Sequence, residues 1–69
     1  MDFPTISLKA ARINRNLTQQ DAASKLGIAR STLQNYESGR TVPDWHMIRR
    51  IEDLYLISAN HLRFTPEYV

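Results

Sequence analysis

"ASKLGIA", residues Ala23–Ala29, contains one of only two glycines in a chain of 69 residues. Ser24 and Lys25 are ordinary helix-surface residues, Leu26 and Ile28 have core character, and Gly27 divides them. Glycine reaches positive φ without the Cβ clash that penalises other residues, so this position favours a break over a continuous helix. Two helices packed at a steep angle need a connection of three or four residues with one such position. Gly27 therefore ends one helix, and Ile28 turns back into the core and pins the angle. Ala23, four residues before the glycine, is small enough for the two helices to approach closely. The helix that follows becomes a fixed projection.

Signals on either side extend this pattern. Thr18 is an N-cap, with Asp21 three residues on in a capping-box arrangement, and Ala22, Ala23 and Leu26 form the apolar face of the helix between Thr18 and Gly27. The next helix turns Leu33 and Tyr36 inward and is closed by Gly39. After the turn "TVPD", Asp44 caps a helix holding Trp45, Ile48, Ile51, Leu54 and Tyr55 at helical spacing. Upstream, Pro4 and Thr5 sit where a first helix starts; Leu8 and Ala11 are its apolar pair, and Asn14 to Asn16 end it. Ser58 caps a last short helix containing Leu62. No stretch alternates with a period of two, and no paired dipeptide marks a hairpin. The expectation is a compact all-α domain of five short helices over residues 1–69. Its central bend spans about residues 18–38, and the tail from about residue 64 has no assigned element. Its expected core is Leu8, Ala11, Leu17, Ala23, Leu26, Ile28, Leu33, Tyr36, Trp45, Ile48, Ile51 and Leu54.

Composition narrows the function classes. There is no cysteine, which excludes disulfide staples and thiolate metal sites and fits a reducing compartment. His46 and His61 lack the partners for a closed metal site, and no glycine-rich loop cradles a phosphate. Glu52 and Asp53 are adjacent in sequence, so they diverge around a helix rather than facing one another as a catalytic pair. No cofactor, metal, small-molecule ligand or catalysis is expected. Without a signal-peptide core or a membrane-length apolar run, the sequence reads as soluble and cytoplasmic.

Charge is unevenly spread. Residues 9–40 carry Lys9, Arg12, Arg15, Lys25, Arg30 and Arg40 against Asp21 and Glu37, a balance of +4. The rest carries Arg49, Arg50 and Arg63 against Asp2, Asp44, Glu52, Asp53 and Glu67, a balance of −2. A basic amino-terminal half suggests one face turned to a polyanion. With Leu33 inward, Tyr36 and Glu37 stay near the inner side of their helix, while Ser31, Gln34, Asn35 and Ser38 fall opposite and Arg30 reaches out from the first turn. Arginine matches guanine, asparagine and glutamine match adenine, and serine matches either, at the base edges of a major groove.

"LTQQDAASKLGIARSTLQNYESGRTVP", Leu17 to Pro43, resembles the helix-turn-helix of the phage-repressor and Cro-like (xenobiotic-response-element) transcriptional regulators. The resemblance runs from about Leu8 to Leu62 and rests on Leu17-Thr18-Gln19, Ala23, Gly27, the "YESG" of Tyr36 to Gly39, and Pro43. It implies a sequence-specific regulator, repressing transcription from a double-stranded operator as a homodimer, with its third helix in the major groove. Arg30, Ser31, Gln34 and Asn35 are then the base readers. Thr18 and Gln19, at a helix amino terminus suited to an anion, hold phosphates together with Ser38 and Arg40. Arg12 and Glu37 match positions that the family pairs in a partly buried salt bridge. Lys9, Arg15 and Lys25 are weaker candidates for phosphate contact and stay outside the expected site. Two positions depart from the family pattern: Ala29 stands where a Ser or Thr commonly caps the recognition helix, and Leu56 where Gly or Asn usually follows helix four. The competing reading is a protein-interaction module of antitoxin or adaptor type on the same scaffold, hinted at by the acidic pair Glu52 and Asp53.

Overall fold

Ser7 decides where the first helix begins. Its hydroxyl accepts the Ala10 N–H at 3.0 Å, which satisfies one of the amide donors that every helix start leaves unpaired. The computed structural model describes residues 4–64, and in chain order they form β1 (Ile6–Ser7), α1 (Leu8–Asn14), α2 (Gln19–Leu26), α3 (Arg30–Ser38), α4 (Trp45–Tyr55), a 3₁₀ turn (Ala59–His61) and β2 (Leu62–Arg63). The expected start at Pro4 and Thr5 is thus too early. Those residues lead into an extended segment, because β1 pairs in parallel with β2, Ile6 opposite Leu62 and Ser7 opposite Arg63. The expected fifth helix is one 3₁₀ turn, capped by Ser58 as anticipated. Among the described residues there are therefore four α-helices, and the two-residue strands are too short to leave a period-two signature in the sequence.

Local chemistry accounts for the other boundaries. Thr18 accepts the Asp21 N–H and Asp44 accepts the Met47 N–H, at 3.0 and 2.9 Å. Gly27 and Gly39 end α2 and α3 with φ of 74° and 80°, in the left-handed region where a Cβ is penalised. Leu56 does the same work after α4 at φ 55° without being glycine, so the turn expected there is made at a conformational cost of about 1–2 kcal/mol. Ala29 precedes α3 with no side-chain hydrogen bond, consistent with the missing Ser or Thr.

Leu8, Leu26, Leu33 and Ile51 are the largest fully buried side chains, joined by Ala11, Ala22, Ala23, Tyr55 and Leu62. Leu17, Ile28, Tyr36 and Leu54 pack against this cluster while partly exposed. Trp45 is not in it: the residue is 65% exposed. The reason is angular. At about 100° per residue, Trp45 lies roughly a third of a turn away from Ile51, whereas Tyr55, four residues after Ile51, falls on the same side and is buried instead. α2 packs against both α3 and α4, so the bend at Gly27 is held from two directions.

Arg50 of α4 braces that bend. Its Nη1 donates to the Leu26 carbonyl at 3.1 Å, and a Cβ added at Gly27 would lie 3.5 Å from the same nitrogen, an ordinary contact. The strain in Gly27→Ala is therefore conformational rather than steric crowding. It should cost about 1 kcal/mol, which in a domain of this size lowers the melting temperature by about 4–8 °C. Thermal denaturation followed by circular dichroism checks this; an unchanged midpoint would show that the left-handed turn imposes no cost.

Candidate nucleic-acid interface

The third helix presents the polar side that its sequence spacing indicates. Arg30, Ser31, Gln34 and Ser38 are exposed, Leu33 is buried beneath them, and Asn35 is half-buried. Ser38 is already engaged, since its hydroxyl donates to the Asn35 carbonyl at 3.2 Å. That same carbonyl receives the backbone N–H groups of Arg40 and Thr41, which fixes the loop leaving the helix and leaves the Arg40 side chain exposed.

Beneath this face a chain of hydrogen bonds runs to the interior. Gln34 Nε2 donates to Gln19 Oε1 at 3.3 Å, and Gln19 Nε2 donates to Glu37 Oε1 at 3.0 Å. Glu37 also accepts from Arg12, whose Nε lies 2.7 Å from Oε2 and whose Nη2 lies 3.4 Å from Oε1. Arg12 Nη1 then donates to the Leu17 carbonyl at 2.8 Å, just ahead of α2. The ion pair is nearly buried, its two side chains 8% and 6% exposed. One connected set of polar groups thus ties α1, the start of α2 and α3 together. Each glutamine uses only part of its capacity: Gln34 keeps its amide oxygen and one N–H, the donor and acceptor that an adenine edge requires.

An open cleft at the start of α2 is lined by Lys9, Arg12, Thr18, Gln19, Gln20 and Arg30. It gathers Thr18 and Gln19 with Arg30 from the expected site, and it adds Lys9, the weaker candidate outside that site. The signal for Lys9 was available: it stands three residues before Arg12, on the same side of α1. No comparable signal announces Arg50, whose contact with α2 depends on how α4 packs.

Tyr55 is the other residue not anticipated here. Its hydroxyl is buried and has no hydrogen-bond partner among the described residues. Burial pushes its pKa up to about 12, the Glu37 charge pushes the same way, and Arg12 partly offsets them. The phenol therefore senses both members of the Arg12–Glu37 pair. Among the described residues no group of three or more His, Cys, Asp or Glu is placed to hold a metal ion, and no helix is long and apolar enough to cross a membrane.

The sequence that builds this arrangement, two helices joined at a glycine elbow with a polar outer helix over a buried Arg–Glu pair, is similar to known proteins. A family model described as Helix-turn-helix matches residues 8–62. The HTH-type transcriptional regulator ImmR of Bacillus subtilis (strain 168) is 38% identical over 55 residues, covering 80% of this chain and 43% of that protein. The uncharacterized HTH-type transcriptional regulator YqaE of the same organism is 38% identical over 56 residues, covering 81% of this chain and 48% of that protein. No solved structure matches significantly. The chain belongs to the phage-repressor and Cro-like family of helix-turn-helix transcriptional regulators. It spans somewhat less than half the length of these two curated relatives.

Two outcomes test the buried network. Glu37→Gln leaves Arg12 charged, nearly buried and unpaired, and should lower stability by about 3 kcal/mol in chemical denaturation, since breaking such a pair costs far more than an exposed one. A midpoint within error of wild type would refute it. For Tyr55, the folded state holds its proton to about pH 12 whereas the unfolded phenol releases it near 10. The stabilisation from this group is therefore fully present below pH 10 and disappears as pH rises from 10 to 12. Wild type should lose melting temperature across that window more steeply than Tyr55→Phe; parallel curves would count against a raised pKa.

Proposed function

We propose that this chain is a sequence-specific double-stranded DNA-binding regulator that represses transcription, with α3 inserted in the major groove of its operator. The observation that carries this reading is the exposed polar face of α3, anchored through Gln34 and Gln19 to a nearly buried ion pair. A side chain whose position is already fixed loses less freedom on meeting a base, so pre-positioning favours readout.

In this reading Arg30, Ser31, Gln34 and Asn35 contact base edges, with Arg30 supplying the bidentate contact to guanine. Thr18 and Gln19 hold a phosphate at the start of α2, where the helix dipole and free amide groups favour an anion, and Lys9 adds charge to the same cleft. Arg40 and Ser38 contact the next phosphate, Ser38 after its hydroxyl turns away from the Asn35 carbonyl. The functional unit is a homodimer on a palindrome whose half-sites lie about one helical turn apart. Arg12 and Glu37 serve the architecture and do not touch DNA. The regulators named among the relatives support this assignment.

Selection of binding sites from random duplex DNA, at two salt concentrations, tests the reading. The expected product is an enriched palindrome, bound more weakly at high salt as displaced counterions are returned. Arg30→Ala should relax the preference at one position per half-site, with a loss of about 1–3 kcal/mol of discrimination. Recovery of no enriched sequence, with binding that vanishes as salt rises, would favour a protein-interaction module on the same fold.

A further inference from the structure

We propose that the outer face of α4 docks a second copy of this chain, the two α4 helices packing antiparallel about a two-fold axis. This deepens the dimeric reading above, on which it rests, by naming the surface involved.

Two apolar side chains, one at the start of α4 and one just past its end, stay largely outside the core of one copy. Leu56 is 68% exposed and adopts the left-handed conformation that glycine adopts at lower cost. Its side chain gains nothing from the core in return. Trp45, in the first turn of the helix, is 65% exposed. Between them the outer surface is charged. Trp45, Arg49 and Asp53 stand four residues apart and form one ridge along the helix, with Leu56 close to the same line. The Arg49 guanidinium lies over the Trp45 ring, 5.9 Å from its centroid, so this exposed cation is laid along the ridge. Asp53 makes no ion pair among the described residues.

The order Trp, Arg, Asp, Leu is self-complementary when reversed. With the two-fold axis level with residue 51, Arg49 faces Asp53 of the second copy and Trp45 faces Leu56 of the second copy. Symmetry repeats each contact. Packing the helices in parallel would instead set Arg49 against Arg49 and Asp53 against Asp53, two repulsive pairs of opposite sign. The sequence of this face therefore selects both the partner and the direction. A patch one helix wide falls short of the about 800 Å² per partner typical of stable complexes, so association without DNA is weak.

Sedimentation of the whole chain, at concentrations up to about 1 mM, reads the outcome. Arg49→Glu puts glutamate opposite Asp53 twice, and Asp53→Arg puts arginine opposite Arg49 twice. Each variant alone should associate about tenfold more weakly than wild type. An equimolar mixture of the two should recover association, because the mixed pair restores both attractive contacts. Leu56→Gly should raise the melting temperature while weakening association. Wild type that stays monomeric throughout, single variants that associate normally, or a mixture that fails to recover would each overturn the proposal. Binding to an isolated half-site is measured separately; it depends on α3 and should be the same in wild type and all three variants, so failure of the DNA reading remains distinguishable from failure of this surface.

Discussion

The contact between Arg12 and Glu37 governs how the remaining parts are arranged. It joins α1 to α3 across 25 positions of sequence at 2.7 Å, and the same arginine holds the Leu17 carbonyl immediately before α2. Three elements that meet the proposed ligand are thereby referred to one pair of charges. Such a pair is a poor source of net stability, because desolvation consumes most of what attraction supplies. Its geometric demand is nonetheless strict. A nearly buried carboxylate accepting from Arg12 and Gln19 tolerates little displacement of any of them, and Gln34 inherits its position from Gln19.

Turns complete what the ion pair begins. Each of the four α-helices is followed within two residues by a left-handed residue: Asn16, Gly27, Gly39 and Leu56. Single residues of this kind reverse the chain in very few steps, and the connections gain no slack. The angle between α2 and α3 is accordingly set by backbone conformation at Gly27, by the Arg50 brace at the end of α2, and by Ile28 packing on the core.

Much of this was legible in the sequence because it is local. Caps at Thr18, Asp44 and Ser58, breaks at both glycines and the inward register of Leu33 depend on neighbours within four residues. The polar side of α3 follows from the same periodicity. What escaped depends on contacts between distant segments. Pairing of Ile6–Ser7 with Leu62–Arg63 joins the two ends of the described chain, and no local pattern in either segment encodes it. Helical spacing groups Trp45 with Ile48, Ile51, Leu54 and Tyr55, yet the set is wider than the buried stripe: Trp45 at its edge turns outward, and Tyr55 takes the buried side. Lys9 needed the cleft to be seen as a ligand, and Arg50 needed the packing of α4 on α2. The Arg12–Glu37 pairing was available only through family resemblance, since nothing in the spacing of the two residues indicates it.

The short parallel pairing of β1 with β2 bears on the order in which the chain folds. Most helical contacts here are close in sequence and form early at little cost in chain entropy. The strand pair must close nearly the whole chain, and the bonds that fasten it include the ladder itself, the Arg63 guanidinium on the Thr5 carbonyl at 3.2 Å, and the His61 ring on the Pro4 carbonyl at 3.0 Å. These bonds repay loop closure only once the helices have already brought the ends together. The clasp should therefore form late in folding and open early in unfolding, with amide exchange at Ile6 and Arg63 running ahead of exchange in Leu33 or Ile51.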